Sequence, residues 1–243
     1  MEAEAVHRLL VIAKEADAPV MVVHLTNKKA FEEVMRARAN GQEVYAETCP
    51  QYLLLDDSVY AKPDFQGAVY VCAPPIRKKE DQDCLWEALS REDIQTVATD
   101  QCSFTLAQKA LGKDDFTKIP GGLPGVQTRG TLLYTYGVKE GRITQEQMCK
   151  LLSENPAKLY GVYPQKGVLA PESDADIVVL DPEKESVISA ATHAYNTDNN
   201  PFEGFRLRCG IDKVFLRGNL AVDDGQLVKE KLGKYIARGK KQM

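Results

Sequence analysis

Two segments of this chain, Val-Val-His24-Leu-Thr and Ala-Thr-Asp100-Gln-Cys102-Ser-Phe, each close a short apolar run with a side chain that can bind a metal. Imidazole nitrogen and carboxylate oxygen are both ligands of zinc, and a bound ion makes water acidic enough to supply hydroxide near neutral pH. In α/β barrels the reactive groups gather where the strands end. Two potential ligands at two strand ends therefore predict one shared site and a metal-dependent hydrolase. Each also has a plainer reading. A histidine after an apolar strand is often held by structural hydrogen bonds, and Asp100 could cap the segment that follows it. Glu47 and Cys49, which end another apolar run, and Cys102 beside Asp100 are candidate pocket residues, although carboxylates and thiols in such places also serve ordinary packing.

The elements that must hold these residues read as alternating helix and strand. Glu2 to Ala16 spaces Val6, Leu9, Leu10 and Ala13 at helical intervals, and Pro19-Val-Met-Val-Val-His24-Leu is a continuous β-rich run. Lys28 to Ala39 predicts a helix that Asn40-Gly41 stops, and Glu43 to Cys49 predicts a strand ended by Pro50. The alternation continues through the apolar run Gly67 to Ala73 before Pro74-Pro75, a helix over Lys79 to Arg91, and a strand over Gln95 to Asp100. Strands that are apolar throughout, rather than at every second residue, indicate a parallel sheet covered on both faces. Ser103 to Gly130, with Ile119-Pro-Gly-Gly-Leu-Pro-Gly125, is expected to be an active-site loop rather than an element. From about Gly167 the pattern shifts to short antiparallel strands: Ala175 to Asp181, Ser186 to Ile188, and Lys213 to Val222 with Asp224-Gly225 as a turn. The expected division is a partial barrel over 1–165, a small β segment over 166–228 and a basic tail over 229–243.

At 243 residues, 44% apolar and 27% charged, the chain can bury a sizeable core in one or two domains. No apolar run approaches the roughly 18 residues that cross a bilayer, and the acidic start lacks a signal-peptide core. No membrane partner and a cytoplasmic location are the expectations. The six cysteines form no C-x-x-C pair, which favours reduced thiols. The net charge of −4 gives no general field for nucleic acid. The tail from Lys229 carries six basic residues against one acidic and reads as a solvated terminal helix.

A complete barrel of eight strand and helix units takes about 250 residues, yet the α/β portion here ends near residue 160 with three or four strands. It reads as the carboxyl half of something larger. The segments V-V-H-L-T at His24, A-E-T-C-P-Q-Y-L from Ala46, A-P-P-I-R from Ala73, T-D-Q-C-S-F from Thr99, D-F-T-K-I-P-G-G from Asp115, N-P-A-K-L-Y-G from Asn155 and D-A-D-I-V-V-L-D-P from Asp174 resemble, in this order, the D-hydantoinase and dihydropyrimidinase family of cyclic amidohydrolases. The resemblance covers essentially the whole chain. Gln101 stands where the related allantoinases and dihydroorotases typically carry histidine.

The resemblance implies the carboxyl half of a metal-dependent TIM-like (β/α)8 barrel followed by strands of a small β-sandwich domain. It implies two divalent metals, usually zinc, held by four histidines, an aspartate and a bridging carboxylated lysine that is absent from this chain. Two of those six ligands match, at His24 and Asp100, and Asp100 would also act as the catalytic base. The substrate would be a small cyclic amide, a 5,6-dihydropyrimidine or a 5-substituted hydantoin, opened to an N-carbamoyl amino acid. Backbone groups at Ala73 and Gly121 would bind the ring, where relatives commonly carry Ser and Asn. With two ligands of its own, the isolated chain is expected to be inactive, and the complete protein a homodimer or homotetramer. Two alternatives stay open: a non-catalytic scaffold resembling the collapsin response mediators, and an allantoinase-like hydrolase, toward which Gly121-Gly-Leu-Pro-Gly125 leans.

Overall fold

The computed structural model describes residues 1–243, which pack as two compact units, one of 1–129 with 188–204 and the other of 130–187 with 205–243. In the first unit α1 (Glu2–Glu15), β1 (Val20–Val22), α2 (Lys28–Ala39), β2 (Val44–Thr48), α3 (Pro50–Leu54), α4 (Lys79–Ser90) and β3 (Thr96–Val97) follow in order. The strands form a parallel sheet ordered β1-β2-β3, with Val22 opposite Ala46 and Thr48 opposite Val97. Both outer strands have an open edge.

The sequence explains why the helices sit where they do. Asn27 caps α2 by accepting from the Ala30 N–H at 2.9 Å, and Ala30, Phe31, Val34 and Ala37 form its buried stripe. The Glu2 carboxylate accepts from the Thr26 hydroxyl and pairs with Arg77 Nη2 at 2.8 Å, which ties the start of α1 to the loop after β1. α1 buries Val6, Leu10 and Ala13, but Leu9, Val11 and Ile12 are exposed, Ile12 to 61%. Leu85, Ala88 and Leu89 of α4 and Ile94 have no solvent exposure, and Trp86 Nε1 donates to the Leu53 carbonyl at 3.0 Å. Leu89→Ala is expected to cost about 2–5 kcal/mol, read from the urea midpoint, because the packed surroundings cannot refill the void.

Three sequence expectations change. Gly67 to Ala73 contributes no strand, and Gln66–Tyr70 is a 3-10 helix entered through Phe65 at φ +64°. A Cβ on Gly67 would lie 2.7 Å from the Tyr60 carbonyl oxygen, so the segment is coiled tightly against its neighbour where a strand would have to extend. The stretch from Ser103 is less irregular than expected. It holds α5 (Leu106–Lys109), whose capping box joins Thr105 and Gln108, and two 3-10 turns, Ala110–Gly112 and Phe116–Lys118. The tail forms no helix. Gly239 and Gln242 instead donate to the Gly161 and Lys158 carbonyls.

α6 (Arg129–Leu133) begins on the last residue of the first unit's opening segment and continues into the second unit, which also holds α7 (Gln145–Cys149) and α8 (Asn155–Leu159); α6 and α7 run on into wider π turns at Tyr134–Val138 and Lys150–Glu154. The second unit ends in an antiparallel sheet ordered β4-β7-β8-β9, where β4 is Ile177–Asp181, β7 Gly210–Leu216, β8 Asn219–Asp223 and β9 Gln226–Leu227. β5 (Ser186–Val187) pairs with β6 (Arg206–Leu207). The turns Arg217-Gly218 and Asp224-Gly225 have positive φ at both residues, the conformation that two-residue hairpins require.

Candidate functional site

The carboxyl edge of the parallel sheet collects the titratable residues. His24 follows β1 by two positions, Glu47 is the next-to-last residue of β2 with Cys49 just beyond the strand, and Asp100 follows β3 by three. The parallel register brings these ends to one side, and the Leu25 N–H donates to the Glu47 carbonyl at 2.7 Å. His24 has φ +41° and Asp100 φ +49°. Left-handed backbone in residues other than glycine costs about 1–3 kcal/mol and clusters at functional sites. No side-chain hydrogen bond or ion pair inside the protein engages either one. Both plainer readings therefore lose ground, because His24 is not locked into a structural bond and Thr105, not Asp100, caps the helix that follows.

One electrostatic field joins the group. Burial pushes the half-buried Glu47 carboxyl upward; the Thr96 hydroxyl, donating to it at 2.8 Å, and the charges of His24 and Arg129 oppose this, while Asp100 adds to it. Burial, with Glu47 and Asp100 next, pushes the Cys49 thiol well above its usual range, so it stays a neutral thiol. Since burial raises the Glu47 pKa, the folded state holds that proton more tightly than the unfolded chain does. Below the ordinary value of 4.5 both states are protonated and no penalty exists; as pH rises past it the unfolded chain ionises first and folding is penalised. Glu47→Gln, whose amide oxygen still accepts from Thr96, is expected to stabilise the metal-free chain at neutral pH. Urea melts at neutral and at acid pH check this, the difference vanishing in acid.

Ala73 and Gly121 meet across two loops, since a Cβ on Gly121 would lie 3.8 Å from the Ala73 nitrogen. Gly122, at φ +152°, leaves no room for a side chain, because its Cβ would fall 2.2 Å from the Cys102 carbonyl oxygen. Cys102 is exposed, and its N–H donates to the Leu123 carbonyl at 3.1 Å. Three residues organise this region: Lys109 and Arg129, which sequence reasoning missed, and Gln101, which it read only as a mark of the family. Gln101 Oε1 accepts from the Gly125 and Val126 N–H groups. Arg129 Nη1 donates to the Val97 carbonyl at 3.2 Å, burial lowering its pKa against the opposing charge of Glu47. Lys109 is 1% exposed, and burial pushes its ammonium down to about 8. The only signal in the sequence for Lys109 was a lysine in the first third of a glycine-rich segment.

His7 is engaged with Glu33 at 3.0 Å and His193 with the Thr197 carbonyl at 2.8 Å, so neither joins the site. Nowhere do three His, Cys, Asp or Glu side chains come together as a metal cage. His24 and Asp100 have the donor chemistry that zinc takes, but two protein ligands fall short of the three usual for a catalytic ion.

A sequence profile of the amidohydrolase family matches residues 1–221. A D-hydantoinase of Geobacillus stearothermophilus is 45% identical over 242 residues, 99% of this chain and 51% of its own length. A D-phenylhydantoinase of Escherichia coli is 42% identical over 240 residues, covering 98% and 52%. Among solved structures, a dihydropyrimidinase from Brevibacillus agri superposes with a TM-score of 0.91 at 45% identity, covering 93% of this chain and 49% of that one. A D-hydantoinase structure reaches 0.97 at 43%, covering 99% and 53%. The chain spans about half the length of the curated relatives it matches. Its fold is the carboxyl half of a TIM-like α/β barrel, with the sheet not closed, followed by strands of a small β domain.

Proposed function

The chain belongs to the amidohydrolase family, and on that premise we propose that it carries the carboxyl-half share of a site that opens cyclic amides, 5,6-dihydropyrimidines or 5-substituted hydantoins, to N-carbamoyl amino acids. The observation that carries this reading is the placement of His24 and Asp100 at one sheet edge, both in left-handed backbone and both free of partners within the protein. They would hold a share of two divalent metals, zinc by the family pattern, with the remaining ligands supplied by the half of the barrel that this chain does not span. When bound, the metals supply a water acidic enough to attack and polarise the carbonyl under attack.

The remaining steps belong to the protein. Asp100 takes the proton of the attacking water and passes it to the ring nitrogen as the carbon–nitrogen bond breaks, so the oxygen ends on carbon and the proton on the leaving nitrogen. Backbone groups at Ala73 and Gly121 grip the cyclic imide; because these groups do not depend on side chains, Ala and Gly can serve where relatives commonly carry Ser and Asn. Glu47 and Cys102 line the pocket, whereas Cys49 has no solvent exposure and packs in the core. The small cyclic amide is the partner, and the completed protein assembles as a dimer or tetramer. No helix is long and apolar enough to cross a membrane. The scaffold reading is disfavoured because both ligand positions are kept. The allantoinase-like reading is disfavoured by relatives named as hydantoinases.

The test joins this chain to the amino half of the G. stearothermophilus enzyme and assays ring opening. Hydantoin and dihydrouracil are expected to turn over at least a hundredfold faster than the polar-substituted members of the same two ring classes, 5-ureidohydantoin (allantoin) and 6-carboxydihydrouracil (dihydroorotate). The reverse order would assign a different ring substituent.

A further inference from the structure

Lys109 is the largest fully buried side chain in the molecule, and it pairs with no carboxylate. A buried, uncompensated ammonium is costly, and an apolar residue of similar length would fill the space at lower cost. Its three N–H groups meet three backbone carbonyls, Val71 at 2.9 Å, Pro120 at 2.8 Å and Gly122 at 3.1 Å, so every donor is matched. The Phe104 ring, 5.7 Å from Nζ, lies against the cation. The Gly122 N–H donates to the Val71 carbonyl at 2.9 Å, so the same two loops are joined a second time.

The peptide bond is planar and trans, so a carbonyl held in one direction aims the next N–H in the opposite one. Turning the Val71, Pro120 and Gly122 oxygens toward Lys109 turns the Cys72, Gly121 and Leu123 N–H groups away from it. The Pro120–Gly121 peptide carries the Gly121 N–H itself, and the Val71–Cys72 peptide is the one that leads into Ala73. No backbone acceptor is taken by the N–H of Ala73 or Gly121, which leaves both for a ligand.

We propose that Lys109 is a positioning residue: by fixing three carbonyls at once, it sets the orientation of the Gly121 N–H and anchors the chain that leads into Ala73, the two backbone positions that bind the substrate ring. The charge strengthens each bond and makes the loops a single unit. The assignment rests on the reading of those peptides as the ring-binding groups.

Lys109→Met keeps the bulk and removes all three donors. In the 243-residue protein, hydrogen exchange at the Gly122 amide is expected to quicken at least tenfold while the β2 amides stay within threefold of wild type. In the completed barrel, KM for hydantoin should rise at least tenfold with kcat within threefold. Unchanged Gly122 exchange, or an unchanged KM, overturns the proposal, and so does an equal fall in protection throughout the protein. Should the variant fail to fold, wild-type protein labelled with 15N at lysine Nζ decides the matter. Couplings across the hydrogen bonds from Lys109 to the Val71, Pro120 and Gly122 carbonyl carbons are expected, and their absence overturns it. A completed wild-type barrel that opens no ring would sink the reaction reading instead, leaving exchange and coupling to judge Lys109.

Discussion

Replacing Asp100 by Asn in the completed barrel is expected to lower kcat for hydantoin opening by about 10²- to 10⁴-fold, the range associated with a positioned general base. An amide cannot take up the proton that the ring nitrogen must receive. It also replaces a charged ligand with a neutral one, so metal content should fall in part. The substitution is a clean one for the backbone: Asp100 sits at φ +49°, and asparagine tolerates left-handed backbone as readily as aspartate. KM should change little, because the ring is gripped at Ala73 and Gly121. Turnover of Asp100→Asn at the wild-type rate would remove Asp100 from the mechanism.

His24→Ala in the same protein should lower metal content most, from about two ions per chain to about one, with turnover falling in proportion to the loss of the complete pair. Alanine is strained at φ +41°, so His24→Asn serves as the control that keeps the backbone comfortable. Metal analysis after gel filtration, with thermal melts alongside, separates loss of a ligand from loss of fold. A full complement of metal in both variants would mean that His24 is not a ligand.

Much of this site was legible in the sequence because strand ends are. Apolar runs ending at Val22 and Val97 place His24 and Asp100 on one edge wherever the sheet is parallel, and the pattern for a parallel sheet is strong. The exposed apolar residues of α1, Leu9, Val11 and Ile12, were visible too, interleaved with the buried stripe, but nothing local says which apolar residues the fold buries. Gly67 to Ala73 was misread for a related reason: a short apolar run satisfies strand and coil alike, and the contact of Gly67 with the Tyr60 carbonyl decides between them. Lys109, Arg129 and the structural role of Gln101 escaped because each acts on backbone carbonyls or amides 11 to 38 residues away. Such partners have no periodicity to betray them. The tail failed as a helix in part because Lys234 and Arg238, like charges one turn apart, repel where acidic partners would have supported it.

Ring opening measured side by side tests the half-site most directly: the purified 243-residue chain with added zinc, and the same chain joined to the amino half of a D-hydantoinase. The account predicts no turnover of hydantoin or dihydrouracil by the chain alone, at any zinc concentration, and turnover by the joined protein that a chelator abolishes. Chelator-sensitive ring opening by the 243-residue chain alone would contradict it.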